Sequence, residues 1–373
     1  MLIKIEKAAL AAQLATAARI SGKGQAGFRS LILSAAEGEL KVMATDGSIE
    51  FCGKVPAEVQ EPGETAVCGK FLHNLVKRLP AWPLTLQTDE AGSIVLKSEK
   101  LKYTLAAEAA WDSESLALEP PAGGLAVDGA MLAEAIDRVL FCVGRDAGME
   151  GISCLKIDPD PKSEEVAMVG LDGHQLARTL VRDTTLRSLL PDAGLLLHWA
   201  YVDELRRWLP PGGVQVAVGA KRLHLRTAEE MFSLPISDWS YPSFRALLSR
   251  AEAAPSRLEA GREALLAALD RLALFTTEVM SGAVLTANAD ADGVALSAQA
   301  DQGKAEEALV SDFQGDPVRV ALPVKPLADM LRNLTSERVR LDICGEKGPC
   351  LITGQDDGDW DYALILMPLI MKD

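Results

Sequence analysis

The sequence predicts an α+β protein of three similar domains, each made of two copies of one unit: a strand, a helix and then three strands. Three observations predict it. One type of short amphipathic helix recurs in GKFLHNLVKRLP (69–80), AYVDELRRWLP (200–210) and VKPLADMLRNLT (324–335), the first and third with apolar residues at i, i+3, i+4 and i+7 and the second with Val202, Leu205, Trp208 and Leu209 on one face. A second helix type recurs half a unit earlier, over Lys7 to Arg19, Gly129 to Val143 and Arg262 to Phe275. Apolar or alternating segments bounded by turn residues follow every helix, as strands do. A period this regular is the signature of a repeated supersecondary unit.

Taken in order, the first domain reads as a strand, the Lys7 helix, then LILSA and LKVMAT; its second half is the 69–80 helix followed by PLTLQ, SIVLKS and KYTLAA. In the second domain CLKID and VAMVGL follow the Gly129 helix, and VQVAV, RLHLRT and MFSLPI follow the 200–210 helix. The third has AVLTANA and VALSAQA after the Arg262 helix, then RVRLDI, PCLITG and DYALIL. Joins fall at the Pro- and Gly-rich stretch Glu119 to Gly124 and at the small, polar stretch Ser249 to Ser256, giving domains 1–122, 123–252 and 253–373. Such units segregate helices and sheets into layers. Three in a row make a curved assembly, and the spacing does not fix whether the arc closes.

At 373 residues the chain exceeds one compact core, and 48% hydrophobic with 24% charged residues places it among folded globular proteins. No apolar run is long enough to cross a bilayer, and the start, MLIKIEKAALAAQLATAARI, has no signal-peptide cleavage site, so the expected location is cytoplasmic. Cys52, Cys68, Cys142, Cys154, Cys344 and Cys350 show no CxxC spacing and read as reduced, structural thiols. A net charge of −15 argues against gripping nucleic acid over the whole surface. Basic residues nevertheless gather locally, at Lys4, Lys7, Arg19 and Lys23 and again at Lys70, Lys77 and Arg78.

Enzyme signatures are absent or misplaced. Gly22 to Gly27 matches GxGxxG but follows a helix and precedes a strand, the reverse of the dinucleotide context. Gly63 to Lys70 resembles a phosphate-binding loop with one residue too many and Phe71 where a magnesium-holding hydroxyl belongs, so it reads as a strand leading into a helix. No GxSxG or HExxH occurs, and His73, His174, His198 and His224 lack ligand spacing, so neither a metal nor a cofactor is expected. His174 beside Asp172 is the one candidate for acid–base work; without a nucleophile or metal, a turn-stabilising role is the stronger reading.

Two stretches organise the rest. Val169 to Ala177, VGLDGHQLA, reads as strand, tight turn, strand. Ile365 to Leu369, ILMPL, is an apolar run broken by a proline, so its end leaves any central ladder and its side chains are free to face a peptide; a terminal core strand is the other reading.

With ATDG (44–47), LDGHQLA (171–177), DWSYPSFR (238–245) and the terminal YALILMPL (362–369) in order on a three-domain repeat, the chain resembles the bacterial DNA polymerase III beta subunits, the sliding clamps, over essentially its whole length. The family's versions read TDGHRLA, a Phe-Pro-Asp-Tyr element and an ending Val-Met-Pro-Met. The resemblance implies a non-catalytic homodimer whose two arcs close head to tail into a ring around duplex DNA, with twelve helices inside and sheets outside. Encirclement resolves the charge problem, because a topological hold needs few phosphate contacts.

By the same resemblance, DNA-facing positions are Lys23, Lys70, Lys77, Arg78, Arg138, Arg145, Arg206, Arg207, Arg271 and Arg332. The dimer interface would join Tyr103 and Leu105 to Leu274 and Phe275 of a second copy, with Lys70 pairing Glu306 or Glu307. Partner proteins (the polymerase catalytic subunit, the clamp loader and repair proteins) would insert a peptide bearing a Gln and spaced Leu and Phe anchors into a cleft. Its residues would be Met149, Leu171, Gly173, His174, Gln175, Leu176, Pro242, Leu247, Ile365, Leu366, Met367, Pro368 and Leu369. The chain departs from the pattern at Gln175 (usually Arg), Leu171 (Thr), Ala246 (a basic residue) and Ile370 (the near-terminal Arg), and lacks a Leu-Pro-Ile element in the loop Gly22 to Phe28. Competing readings are a diverged scaffold with the same fold and a hydrolase centred on Asp172 and His174.

Overall fold

The computed structural model describes residues 1–23, 28–119, 123–145, 150–277, 281–288, 293–301, 303–355 and 360–371. Six strand–helix–three-strand units follow one another along the chain. The first pair is β1 (Leu2–Ile5), α1 (Lys7–Ser21), β2 (Ser30–Ala36), β3 (Glu39–Thr45) and β4 (Glu50–Glu61), then β5 (Gly63–Cys68), α2 (Gly69–Arg78), β6 (Leu84–Thr88), β7 (Ile94–Ser98) and β8 (Leu101–Leu105). The second pair is β9 (Leu125–Asp128), α3 (Gly129–Leu140), β10 (Cys154–Pro159), β11 (Glu165–Leu171) and β12 (Gln175–Arg182), an added α4 (Thr184–Leu189), then β13 (Leu195–His198), α5 (Trp199–Trp208), β14 (Gly213–Val218), β15 (Arg222–Arg226) and β16 (Glu230–Pro235). After a further helix, α6 (Phe244–Glu252), come β17 (Ser256–Gly261), α7 (Arg262–Leu272), β18 (Gly282–Asn288), β19 (Gly293–Ala300) and β20 (Gly303–Leu309). An added β21 (Ser311–Gly315) precedes β22 (Val318–Pro323), α8 (Val324–Arg332), β23 (Arg338–Ile343), β24 (Cys350–Gln355) and β25 (Asp361–Leu366).

The helices form where the apolar stripe predicts. Leu72 and Val76 are buried on α2, and Leu327, Met330 and Leu331 on α8, where Pro326 sits in the first turn and removes no helical hydrogen bond. Lys77 and Arg78 end α2 and Arg332 ends α8, complementing the negative end of each helix dipole. The breaker-like stretch 249–256 is an exception. Its first residues are the end of α6, because Phe244, Leu248 and Ala251 bury one face and carry the helix through Glu252.

Two compact units result: residues 1–133, 188–190 and 200–237, and residues 134–187, 191–199 and 238–373. The first holds a twelve-stranded antiparallel sheet in the order β8-β7-β6-β1-β4-β16-β15-β14-β9, with β3, β2 and β5 branching from β4. The twelve-residue β4 makes this branching possible: Glu50 to Gly53 pair with β16, Glu50 to Pro56 with β3, and Ala57 to Glu61 with β1. Pro56 stands where the pairing switches, a position that needs no ladder donor. Gly53 admits α1, since a Cβ there would lie 2.1 Å from Gln13 Oε1. The second unit holds a nine-stranded sheet, β13-β10-β11-β12-β25-β24-β23-β17-β21, and a four-stranded sheet, β20-β19-β18-β22.

Candidate functional site

In the second unit, β11 and β12 form a hairpin in which Leu171 pairs with Leu176, and the Asp172 carboxylate closes the turn between them. Its Oδ1 accepts from the backbone N–H of His174 (2.8 Å) and Gln175 (2.7 Å), while Oδ2 accepts from Gln175 Nε2 (3.1 Å). Gly173 has φ +92, which an L side chain resists. The carboxylate is therefore a turn acceptor, the reason aspartate favours such turns, rather than an orienting group for the His174 ring.

β12 continues the sheet into β25, with Leu176 opposite Ile365, and the Met367 N–H donates to the His174 carbonyl at 2.9 Å. Across from this ladder lies α6. Between them opens a cavity of about 210 Å³. One wall is Leu171 and Gly173 to Leu176, the other is Pro242, Ser243, Phe244 and Leu247, and Ile152, Ile365 and Met367 complete it. Beneath it Val169, Leu171, Leu176, Phe244, Leu248 and Ile365 share one hydrophobic cluster, so the cleft is an opening in the core. Two contacts hold α6 in place. The Tyr241 hydroxyl, its pKa pushed up by burial, donates to the Val169 carbonyl (3.2 Å), and Arg245 forks onto Asp158 (2.6 Å) and Asp160 (3.1 Å).

Nine of the expected cleft residues line this cavity: Leu171, Gly173, His174, Gln175, Leu176, Pro242, Leu247, Ile365 and Met367. Leu366, Pro368 and Leu369 do not. Leu366 is fully buried, and the chain beyond Pro368 is stitched to β22, where the Leu369 N–H donates to Ala321 O at 2.8 Å. The Leu369 side chain covers Gly282, where a Cβ would meet its Cδ1 at 2.7 Å. Met149 lies outside the described residues. Ile152, Ser243 and Phe244 were not anticipated; the spacing Phe244, Leu247, Leu248, Ala251 is a helical stripe that identifies the α6 wall.

The expected DNA-facing cations divide by environment. In the first unit Glu204 on α5, 1% exposed, gathers Lys23 (2.8 Å), Arg19 (3.0 Å) and Arg207 (3.1 Å). Burial raises the Glu204 pKa, but the hydrogen bonds from Lys23 and Arg19 outweigh it and hold the carboxyl below its ordinary value. Lys23 and Arg207 are thus engaged by a buried acid. Lys70, Lys77 and Arg78 are exposed on α2, a helix without an acidic residue, and form no ion pair among the described residues. Arg206 is half-buried on α5.

In the second unit Arg138 is packed rather than presented. Only 11% of its side chain is exposed; it lies 4.9 Å from the Trp360 ring centre and 5.3 Å from that of Tyr362, and it donates to Glu134. Arg145 stacks on Trp199 at 4.9 Å. Arg332 bridges Asp270 (2.9 Å) and Asp329 (2.8 Å), and Arg271 binds Glu307 through two nitrogens.

Two sheets end in unpaired strands that matter here, β8 in the first unit and β20 in the second. On β8 Tyr103 is 37% exposed, whereas Leu105 is buried in its own unit and is not available as an intermolecular anchor. Leu274, 76% exposed, and half-buried Phe275 form a turn after α7. Glu307 is held by Arg271 of its own chain and Glu306 lies 3.5 Å from Lys304, so neither waits unpaired for Lys70. Phe71, 60% exposed beside Lys70, was not anticipated. Among the described residues no cluster of three or more His, Cys, Asp or Glu could hold a metal ion, and no helix is long and apolar enough to cross a membrane.

Comparison with known proteins bears on the family and the fold. The family model for the N-terminal domain of the DNA polymerase III beta subunit matches residues 1–116, and that for its C-terminal domain matches 252–369. The beta sliding clamp of Pseudomonas putida is 26% identical over 344 residues, spanning 89% of each chain, and that of Pseudomonas aeruginosa is 25% identical over 354 residues, spanning 91% of this chain and 92% of its own. The crystal structure of the DNA polymerase III subunit beta from Pseudomonas aeruginosa superposes with a TM-score of 0.89 at 22% identity, and that from Thermotoga maritima with 0.89 at 18%, each covering 100% of both chains. Matched at both ends by the family's domains and along its whole length by the family's fold, the chain belongs to the DNA polymerase III beta subunit family.

Proposed function

We propose that this chain is a DNA sliding clamp, the processivity factor of a replicative DNA polymerase, and that it carries no catalysis of its own. Two copies close head to tail into a ring around duplex DNA, with β8 of one copy continuing the sheet that ends in β20 of the other. The observation that carries the reading is the pair of unpaired sheet edges, β8 in the first unit and β20 in the second, in a chain of this family. Exposed Lys102 and Tyr103 on β8 suit that junction, with Phe71, Leu274 and Phe275 as apolar contacts. Each copy contributes three domains, 1–122, 123–252 and 253–373, and the protein works in the cytoplasm.

The cleft between β12, β25 and α6 is the docking site for a short peptide of the polymerase catalytic subunit, the clamp loader and repair proteins. Apolar walls with a few polar groups anchor a linear motif. Encirclement explains how so acidic a chain keeps hold of DNA, because a ring is retained by topology rather than by phosphate contacts.

Sedimentation equilibrium followed by loading onto nicked circular DNA tests this. The expected result is a dimer that the loader places on circles and that leaves when the circle is linearised. A monomer, or a complex indifferent to DNA ends, refutes it.

A further inference from the structure

We infer that this cleft selects partner peptides by charge: it takes a segment whose apolar anchors are flanked by neutral or basic residues and disfavours one flanked by acids. The inference rests on the cleft being a peptide-docking site. Among the described residues its lining contains no lysine, arginine, aspartate or glutamate, so there the anchors meet a neutral, apolar surface. The charges around it decide the flanks.

The cation nearest in sequence, Arg245, is turned to Asp158 and Asp160, and Lys156 lies 3.4 Å from Asp158; these four charges cancel within the fold. Exposed Arg250, without an ion pair among the described residues, lies one helical turn beyond Leu247, at the far end of α6. Two carboxylates without a cation partner among the described residues lie nearer the lining in sequence: Asp172 in the turn between the lining residues Leu171 and Gly173, and exposed Glu150, two residues before Ile152. The polar handles are Gln175, already held by Asp172, His174 and the Ser243 hydroxyl, none of which balances an incoming carboxylate as a guanidinium does. Like charges facing one another disfavour the wrong partner more than they aid the right one.

The test uses the full chain and three synthetic peptides with the same core, Gln-Leu-Ala-Leu-Phe, flanked on each side by two Ser, two Lys or two Asp, titrated by fluorescence anisotropy at about 50 mM and about 500 mM salt. At low salt the acidic peptide is expected to bind about fivefold more weakly than the serine-flanked one, the order expected of partly screened charges about a nanometre apart. At high salt the two converge, because the Debye length falls to a few ångströms. Ala246→Arg, placed on the exposed face of α6 beside Leu247, is expected to remove most of the fivefold difference. Equal or tighter binding of the acidic peptide at low salt overturns the selectivity and leaves the docking site standing. No binding by any of the three overturns both.

Discussion

The hairpin turn at Asp46-Gly47 and the one at Asp172-Gly173 occupy the same place in successive domains of the repeat and are built alike, yet among the described residues they differ in what covers them. Asp46 Oδ1 accepts from the N–H of Ser48 (2.8 Å) and Ile49 (2.7 Å), as Asp172 Oδ1 does from His174 (2.8 Å) and Gln175 (2.7 Å), and both glycines have positive φ, +95 and +92. What differs is the cover. A Cβ on Gly47 would meet the Phe28 ring at 3.5 Å, and Phe28 packs with Trp111 on the cluster of Ile32, Met43 and Cys52. A Cβ on Gly173 would meet nothing within 4 Å. The turn is common to both; the Phe28 ring over Gly47, with no counterpart over Gly173 among the described residues, is what distinguishes them.

The largest effect expected from this comparison is on the covered side. Trp111 is 9% exposed and its Nε1–H donates to the Ser30 carbonyl, so Trp111→Ala removes both packing and a buried hydrogen bond. It is expected to destabilise the first unit by about 3 kcal/mol, read as a lower urea midpoint of the full chain, and a loss under about 1 kcal/mol would mean that the cover is not packed. Next, supplying an aromatic cover should close the cleft. Leu247→Trp is expected to weaken binding of the serine-flanked peptide at least tenfold while shifting stability by less than about 1.5 kcal/mol, since the ring fills open space. Undiminished affinity by anisotropy counts against α6 as a wall. The smallest effect checks that the two turns are equivalent: Gly47→Ala and Gly173→Ala each adopt an unfavourable φ and each should lower stability by about 1 kcal/mol, within error of one another. A clear inequality in thermal unfolding separates the turns after all.

Much of this was legible in the sequence. Six helices at one period, VGLDGHQLA as strand, turn, strand, and a ladder ending before Pro368 follow from spacing and turn chemistry, which are local properties. The less legible parts depend on tertiary neighbours. Leu105 and Leu369 look like interface and cleft residues in a string of letters, but one is buried in its own sheet and the other is tied to Ala321. Arg138 counts as a charge in composition and behaves as a packed residue under Trp360 and Tyr362. Ile152 carries no periodic signal, because a short turn rather than a helix places it. The α6 stripe was the one missed feature that periodicity contained.

In the ring proposed above, Glu204, which gathers Lys23, Arg19 and Arg207, and the acids that hold Arg271 and Arg332 would bear on travel along DNA. Cations already met by carboxylates would offer a passing phosphate a shallow well, so the energy profile beneath those residues would stay nearly flat from one base pair to the next. Friction is then set by the water and counterions between protein and DNA more than by bonds that must break at every step. A tracking protein needs such a bearing surface, and in the proposed ring these paired cations would supply it.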